Sequence, residues 1–127
     1  RPEKVKDVMD VLSDIPEYDF ALRHNAGPEL FVGDKNRRAG KIAVKMTGGT
    51  SGPKEMYESL VQAGVGTVIC MHVPENHIEE AKKHHINIVI AGHIASDSVG
   101  INILVDRLEK KGIRITPFSG YIRVKRS

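Results

Sequence analysis

The chain has 127 residues, of which 40% are hydrophobic and 28% charged, with a net charge of +3. That length suits one domain with a real core, the balance is that of an ordinary globular protein, and no apolar run approaches the ~20 residues of a membrane-spanning helix. The mild positive charge does not by itself imply nucleic acid, and the single cysteine, Cys70, excludes an intrachain disulfide and suits a reducing compartment such as the cytoplasm.

Aromatic residues make up only 5% and tryptophan is absent, so Val, Ile, Leu and Met must build the core. From Pro2 to Ile15 the apolar residues Val5, Val8, Met9, Leu12 and Ile15 follow helical spacing. Pro16 interrupts it, and Glu17 to His24 reads as a short second helix. Asn25 to Pro28 is a loop. Leu30 to Gly33 and Lys41 to Met46 read as strands joined by the basic turn DKNRRAG, and a hairpin is expected. Thr47 to Gly52 (TGGTSG) is a Gly-rich loop, followed by a helix over Pro53 to Ala63.

Thr67 to Met71 (TVICM) is the next strand, and Glu75 to His84 a polar helix. Ile86 to Ile90 is a strand of nearly pure Val and Ile. Ser96 to Lys110 is a long helix whose apolar residues include Val99, Ile103, Leu104 and Leu108, with Gly112 closing it. Ile113 to Thr116 and Tyr121 to Val124 read as two further strands.

Apolar strands alternating with helices indicate βαβ units. The expected fold is α/β, a mostly parallel sheet with helices on both faces in three layers. Residues 1–28 read as a helical lead-in and 29–127 as the α/β domain. The chain opens at Arg1, without Met and inside a helical pattern, so a fragment of a longer protein is expected. No signal peptide is recognisable.

In a parallel sheet the carboxyl ends of the strands share one edge, where ligands bind. Three polar loops fall there: Thr47 to Gly52, Met71 to His77, and Ala91 to Ser98. They carry His72, His77, His93 and Asp97. His93 and Asp97 are spaced H-x-x-x-D, which puts both on one face of a helix. Imidazole with carboxylate suits Zn, Mn, Fe or Ni rather than an oxygen-only Ca or Mg site. The alternative is that Asp97 or Ser96 is an N-cap and His93 a loop histidine.

His72, at the same edge, is a candidate third ligand or proton donor. His77 reads as a solvated residue on a polar helix, and His84 and His85 as structural residues at a helix C-terminus. His24 stays unassigned. The TGGTSG loop opens a helix and suits an anion, but it lacks P-loop spacing and a tight turn explains it as well. Cys70 lies inside a strand, which argues against a nucleophile. Lys35, Arg37 and Arg38, and the tail residues Arg123, Lys125 and Arg126, read as solvated charge. Nucleic-acid binding is not expected.

The stretches KIAVKMTGGT, GVGTVICMHVPENHIEEAKKHHINIVIAGHIASDS and DRLEKKGIRI resemble the C-terminal half of the Ngg-interacting-factor-three-like family. Its members are also known as dinuclear-metal-centre hexameric proteins and as GTP cyclohydrolase I type 2 homologues. The most specific part is INIVIAGHIASDS, which resembles the family's strand followed by G-H-x-x-x-[E/D]. The resemblance implies that His93 and Asp97 are ligands of a site holding up to two divalent metal ions. It also implies a homo-oligomer, hexameric in the family, and a metal-dependent hydrolase of a nucleotide or phosphate-type small molecule. The other reading is a non-catalytic assembly or protein-interaction module. Two departures stand out. Asp97 occupies a position where the family usually has Glu, and the family's His-His-Pro is absent, since Ile86 follows His84-His85. The remaining ligands are therefore expected from a missing N-terminal half.

Overall fold

The structure is a computed structural model, and it describes residues 1–46 and 52–127. Helices α1 (Val5–Ser13) and α2 (Pro16–Leu22) precede strand β1 (Glu29–Val32). Strand β2 (Lys41–Lys45), helix α3 (Met56–Gln62), strand β3 (Val65–Cys70), helix α4 (Glu75–Lys83), strand β4 (Asn87–Ile90) and helix α5 (His93–Lys110) follow. The sheet runs β1, β4, β3, β2. β2, β3 and β4 are parallel, and β1 lies antiparallel against β4. The fold is thus α/β with a mostly parallel sheet.

Alternation along the central strands builds the two faces. Ile69 and Val89 point to one side, where Val5, Val8, Leu12, Tyr18 and Ala95 cover them. Val68, Cys70 and Ile88 point to the other, beneath Tyr57 and Ala81. Ile86, Ile88 and Val89 are at most 1% exposed. Each such side chain contributes roughly 1.5–3 kcal/mol by leaving water. The central pair β3 and β4 is therefore the hydrophobic centre. Among the described residues no helix is long and apolar enough to cross a membrane.

The expected hairpin between β1 and β2 does not form. The two strands stand on opposite edges, three inter-strand spacings or about 14 Å apart. At roughly 3.3 Å per residue the 33–40 segment spans up to about 26 Å, so it crosses beneath the sheet. Buried polar groups pin it there. The Asn87 amide donates to the carbonyls of Gly66 (2.9 Å) and Arg38 (3.3 Å), and Thr67 Oγ1 donates to the Ala39 carbonyl at 2.6 Å. Gly33 must be glycine, because at φ +107° a Cβ would come within 2.2 Å of Asn87 Oδ1. The segment also satisfies the start of α1: Val5 and Lys6 donate their N–H groups to the carbonyls of Arg37 and Lys35 at 3.0 and 2.9 Å.

The two strands expected beyond Gly112 are also absent. Residues 113–127 join no ladder, and side chains hold them to α2 and α5 instead. Both oxygens of Glu17 accept from the Arg126 guanidinium, at 2.5 and 2.6 Å. Asn102 Nδ2 donates to Glu17 Oε1 at 2.8 Å and to the Ile122 carbonyl at 2.9 Å, and Tyr121 donates its hydroxyl to Asn102 Oδ1. Arg123 Nη2 donates to Asp106 Oδ1 at 2.6 Å and Glu109 Oε2 at 3.1 Å. Arg123 and Arg126 are therefore structural ion-pair partners, not solvated charge. The same network turns α5: Ser98, Asn102 and Asp106 face inward, while Ile101, Ile103 and Leu104 are 46%, 55% and 57% exposed.

Burial pushes the Glu17 carboxyl up, but Arg126 and Asn102 outweigh it and hold the group below its ordinary value of 4.5. A lowered carboxyl contributes stability that is fully present above the ordinary value and is lost as the pH falls through the lowered one. Glu17→Ala is expected to cost about 3 kcal/mol in urea unfolding at pH 7, because Asn102 and Arg126 lose their shared acceptor. The margin of the wild type over Glu17→Gln should be constant near neutrality and shrink below pH 4.5. A margin that does not change with acid would refute this account.

Candidate functional site

The carboxyl edge of the sheet is assembled by the parallel pair. Ala91 donates its N–H to the Cys70 carbonyl at 2.8 Å, so the ladder of β3 and β4 continues past both strands. This brings the segment after Cys70 beside the segment after Ile90. Gly92 then turns the chain into α5 at φ +104°. A Cβ on Gly92 would lie 3.0 Å from the Ala26 carbonyl, so glycine lets the 24–28 loop close against the turn.

His93 is the first residue of α5, three positions earlier than the sequence pattern suggests. Asp97 follows one turn later. His93 Nε2 lies 3.2 Å from Asp97 Oδ2, and the side chains are 54% and 51% exposed. The N-cap is Gly92, and no side chain caps the helix. Neither Ser96 nor Asp97 is an N-cap. Ser96 Oγ donates to the Gly92 carbonyl at 2.5 Å and bonds to Tyr18 Oη at 2.8 Å. Since the serine hydrogen is committed to the carbonyl, Tyr18 is the donor to Ser96. Asp97 is left outside this network, facing His93.

His72 is brought to the same place. Its ring stacks on His93 with centroids 5.9 Å apart and planes at 27°. His72, His93 and Asp97 thus form one exposed group. Among the described residues no three His, Cys, Asp or Glu side chains stand close enough together to hold a metal ion. His93 and Asp97 are a pair of donors rather than a complete shell.

His77 does not join them. Expected at the surface, it is 3% exposed. Tyr57 Oη and His77 Nδ1 are 3.2 Å apart, and Nε2 lies 3.2 Å from the Gly52 carbonyl. The carbonyl only accepts, so Nε2 carries the hydrogen and Tyr57 donates to Nδ1. Burial pushes the Tyr57 hydroxyl up to about 12, which keeps it a neutral donor. The inward turn of α4 that buries Ala81 also buries His77. The anion reading of the TGGTSG loop concerns residues 47–51, which lie outside the described residues.

A cavity of about 420 Å³ adjoins His93, and His24 lines it too. Sequence reasoning left His24 unassigned. It also missed the Glu17, Asn102 and Arg126 network behind this cavity. A sequence signal for that network is the polar residue Asn102 inside the apolar stretch Val99 to Val105 of α5.

No family profile and no curated protein sequence matches the chain. Solved structures do. It superposes on a NIF3 superfamily protein from Sphaerobacter thermophilus with a TM-score of 0.77 and 32% identity, over 92% of this chain and 42% of that one. Reduced HcgD from Methanocaldococcus jannaschii gives 0.59 at 11% identity, over 85% of this chain and 39% of that one. The Staphylococcus aureus protein SA1388 gives 0.54 at 18% identity, over 91% and 30%. The last two show the fold alone. The chain spans about two fifths of the Sphaerobacter thermophilus protein.

Cys70 offers a direct check on the chemistry at this edge. Burial pushes its thiol up to about 11, with the Lys45 charge pulling the other way. At pH 8 it should hold roughly 100-fold less thiolate than an ordinary cysteine. A disulfide reagent such as dithionitrobenzoate is expected to modify it slowly in the folded protein and rapidly in urea. Equal rates in both would place the thiol at the surface.

Proposed function

With a fold shared with NIF3 superfamily proteins as the premise, we propose that the chain contributes His93 and Asp97 as ligands to a divalent-metal site. The observation that carries this reading is the half-exposed imidazole–carboxylate pair, 3.2 Å apart, at the end of β4. The donor set suits Zn, Mn, Fe or Ni. Asp97 is shorter than the Glu of the family motif, yet its carboxylate already reaches the imidazole. Two donors leave most of a first shell to other groups, and we assign those to a further segment of a longer protein and to substrate or solvent. Two ions side by side in the longer protein would match the dinuclear centre that the resemblance implies.

When bound, the metal would supply Lewis-acid activation of water and a point of attachment for phosphate oxygens. The protein's own contribution is placement. Gly92 fixes the direction of α5, and the helix fixes His93 and Asp97 on one face. His72, stacked on His93, is our candidate to hold or deliver a proton, and His93 and Asp97 remain the two proposed ligands. The reaction we favour is hydrolysis of a nucleotide or another phosphate-type small molecule in the cytoplasm. After zinc or manganese loading and dialysis, elemental analysis of the longer protein that supplies the remaining ligands is expected to show bound metal. His93→Ala and Asp97→Asn should each lower it at least roughly tenfold. Equal metal content in all three proteins would sink the proposal.

A second reading has its own observation. On α5, Ile94, Ile101 and Leu104 are 56%, 46% and 57% exposed, and Phe118 beyond the helix is 81% exposed. These exposed apolar side chains suit an assembly surface, with a ring of six copies as the form the resemblance implies. Sedimentation at tens of micromolar should then give an oligomer that Leu104→Glu dissociates. A monomeric wild type would reject this role for the chain alone.

A further inference from the structure

The cavity beside His93 has a volume of about 420 Å³, within the range of small-molecule pockets. It is lined by Phe20, His24, Ile94 and Ile122 together with the buried Ala21 and Ala95. Two features show that its shape is built in. The rings of Phe20 and His24 stack with centroids 4.3 Å apart and planes at 23°. His24 Nδ1 lies 2.9 Å from the Phe20 carbonyl. A carbonyl only accepts, so Nδ1 carries the hydrogen, and Nε2 of the neutral ring is left as an acceptor.

Ile122 is clasped through its backbone. Ile122 donates its N–H to Ser98 Oγ at 3.1 Å, and its carbonyl accepts from Asn102 Nδ2 at 2.9 Å. Ser98 and Asn102 are 1% and 0% exposed, and Asn102 is anchored in turn by Glu17. The tail is therefore set in place by buried groups, and it presents Ile122 to the cavity without any ligand. The lining is apolar apart from the two imidazoles. A charged group would lose hydration here without gaining a fixed partner. An aliphatic chain would fill the space but could not use the His24 acceptor.

We propose that this cavity binds a flat heteroaromatic ring carrying an N–H on its edge. The ring packs against Phe20, Ile94 and Ile122 and donates to His24 Nε2. His24 is thereby assigned as a ligand-binding residue. The site adjoins His93, so the ring is the recognised part of the substrate handled at the His93 and Asp97 pair. That last step rests on the metal reading, whereas binding of the ring does not.

The test is an amide NMR titration of the whole chain, with metal removed by chelator, using indole and N-methylindole as probes. Indole is expected to shift the amides of Ala21, Ala26, Ala95 and Gly120 together. N-methylindole, which has no N–H, should bind at least fivefold more weakly. In His24→Phe, which keeps the stack and removes the acceptor, the two probes should bind equally. If indole leaves those amides unmoved, or if the wild type does not distinguish the probes, the proposal is overturned. So too if His24→Phe keeps the wild-type preference. The same titration on Asp97→Asn, which removes a proposed metal ligand that does not line the cavity, separates the two readings. Indole binding there supports the pocket whatever the metal analysis returns, and absent indole binding in the wild type overturns the pocket without touching the metal site.

Discussion

Glu17 carries a charge where water does not reach, and the protein has to answer that charge from inside. An isolated carboxylate in that position would cost several kcal/mol. Two partners offset the cost: Arg126 from the end of the chain and Asn102 from the middle of α5. Because those partners come from far apart, satisfying one carboxylate fixes three segments at once. The tail is drawn across α2 and α5, α5 is rotated to bury Asn102, and Ile122 is placed beside His93. A buried ion pair is weak evidence for stability, since an apolar replacement is often as stable. Its consequence here is arrangement. Without Glu17 the tail has no comparable anchor to α2, and Asn102, which holds Ile122, loses a partner.

The pair at the site is of a different kind. His93 and Asp97 meet at 3.2 Å with about half of each side chain exposed. An exposed pair of this sort contributes roughly 0.2–1 kcal/mol. That is too little to explain the local structure, which is fixed instead by the β3–β4 ladder, by Gly92 and by the bond of Ser96 to the Gly92 carbonyl. The polar residues thus divide by burial. Glu17, Asn102, His77 and Asn87 are closed off with their hydrogen-bonding groups answered internally, and they hold the fold. His72, His93 and Asp97 remain open to solvent, where a ligand can reach them.

The backbone of this arrangement was legible in the chain because it depends on local pattern. Strands of Val and Ile, spaced by helices, imply a parallel sheet, and a parallel sheet implies one edge at which strand ends gather. His93 and Asp97 follow from H-x-x-x-D at the start of a helix, since an i, i+4 spacing needs only the helix itself. His72 follows from its place after the neighbouring strand. His77 was misplaced because polarity along α4 does not reveal that one polar residue turns inward to meet Tyr57. The tail was misread as two strands because RIT and YIRV have strand-like composition, while β1 and β2 already hold the sheet's edges.

The sequence by itself determined the fold class, the sheet edge where the polar loops gather, and the pairing of His93 with Asp97 on α5, because each rests on residues close together in the chain. The tertiary structure decided which strands pair, which face of α5 is buried, where the tail lies, and that His24 lines a cavity beside His93. These depend on contacts between residues as distant as Glu17 and Arg126, or Asn87 and Arg38. A buried charge or amide takes whichever partner the folded chain brings within about 3 Å, and no local pattern records which one that will be.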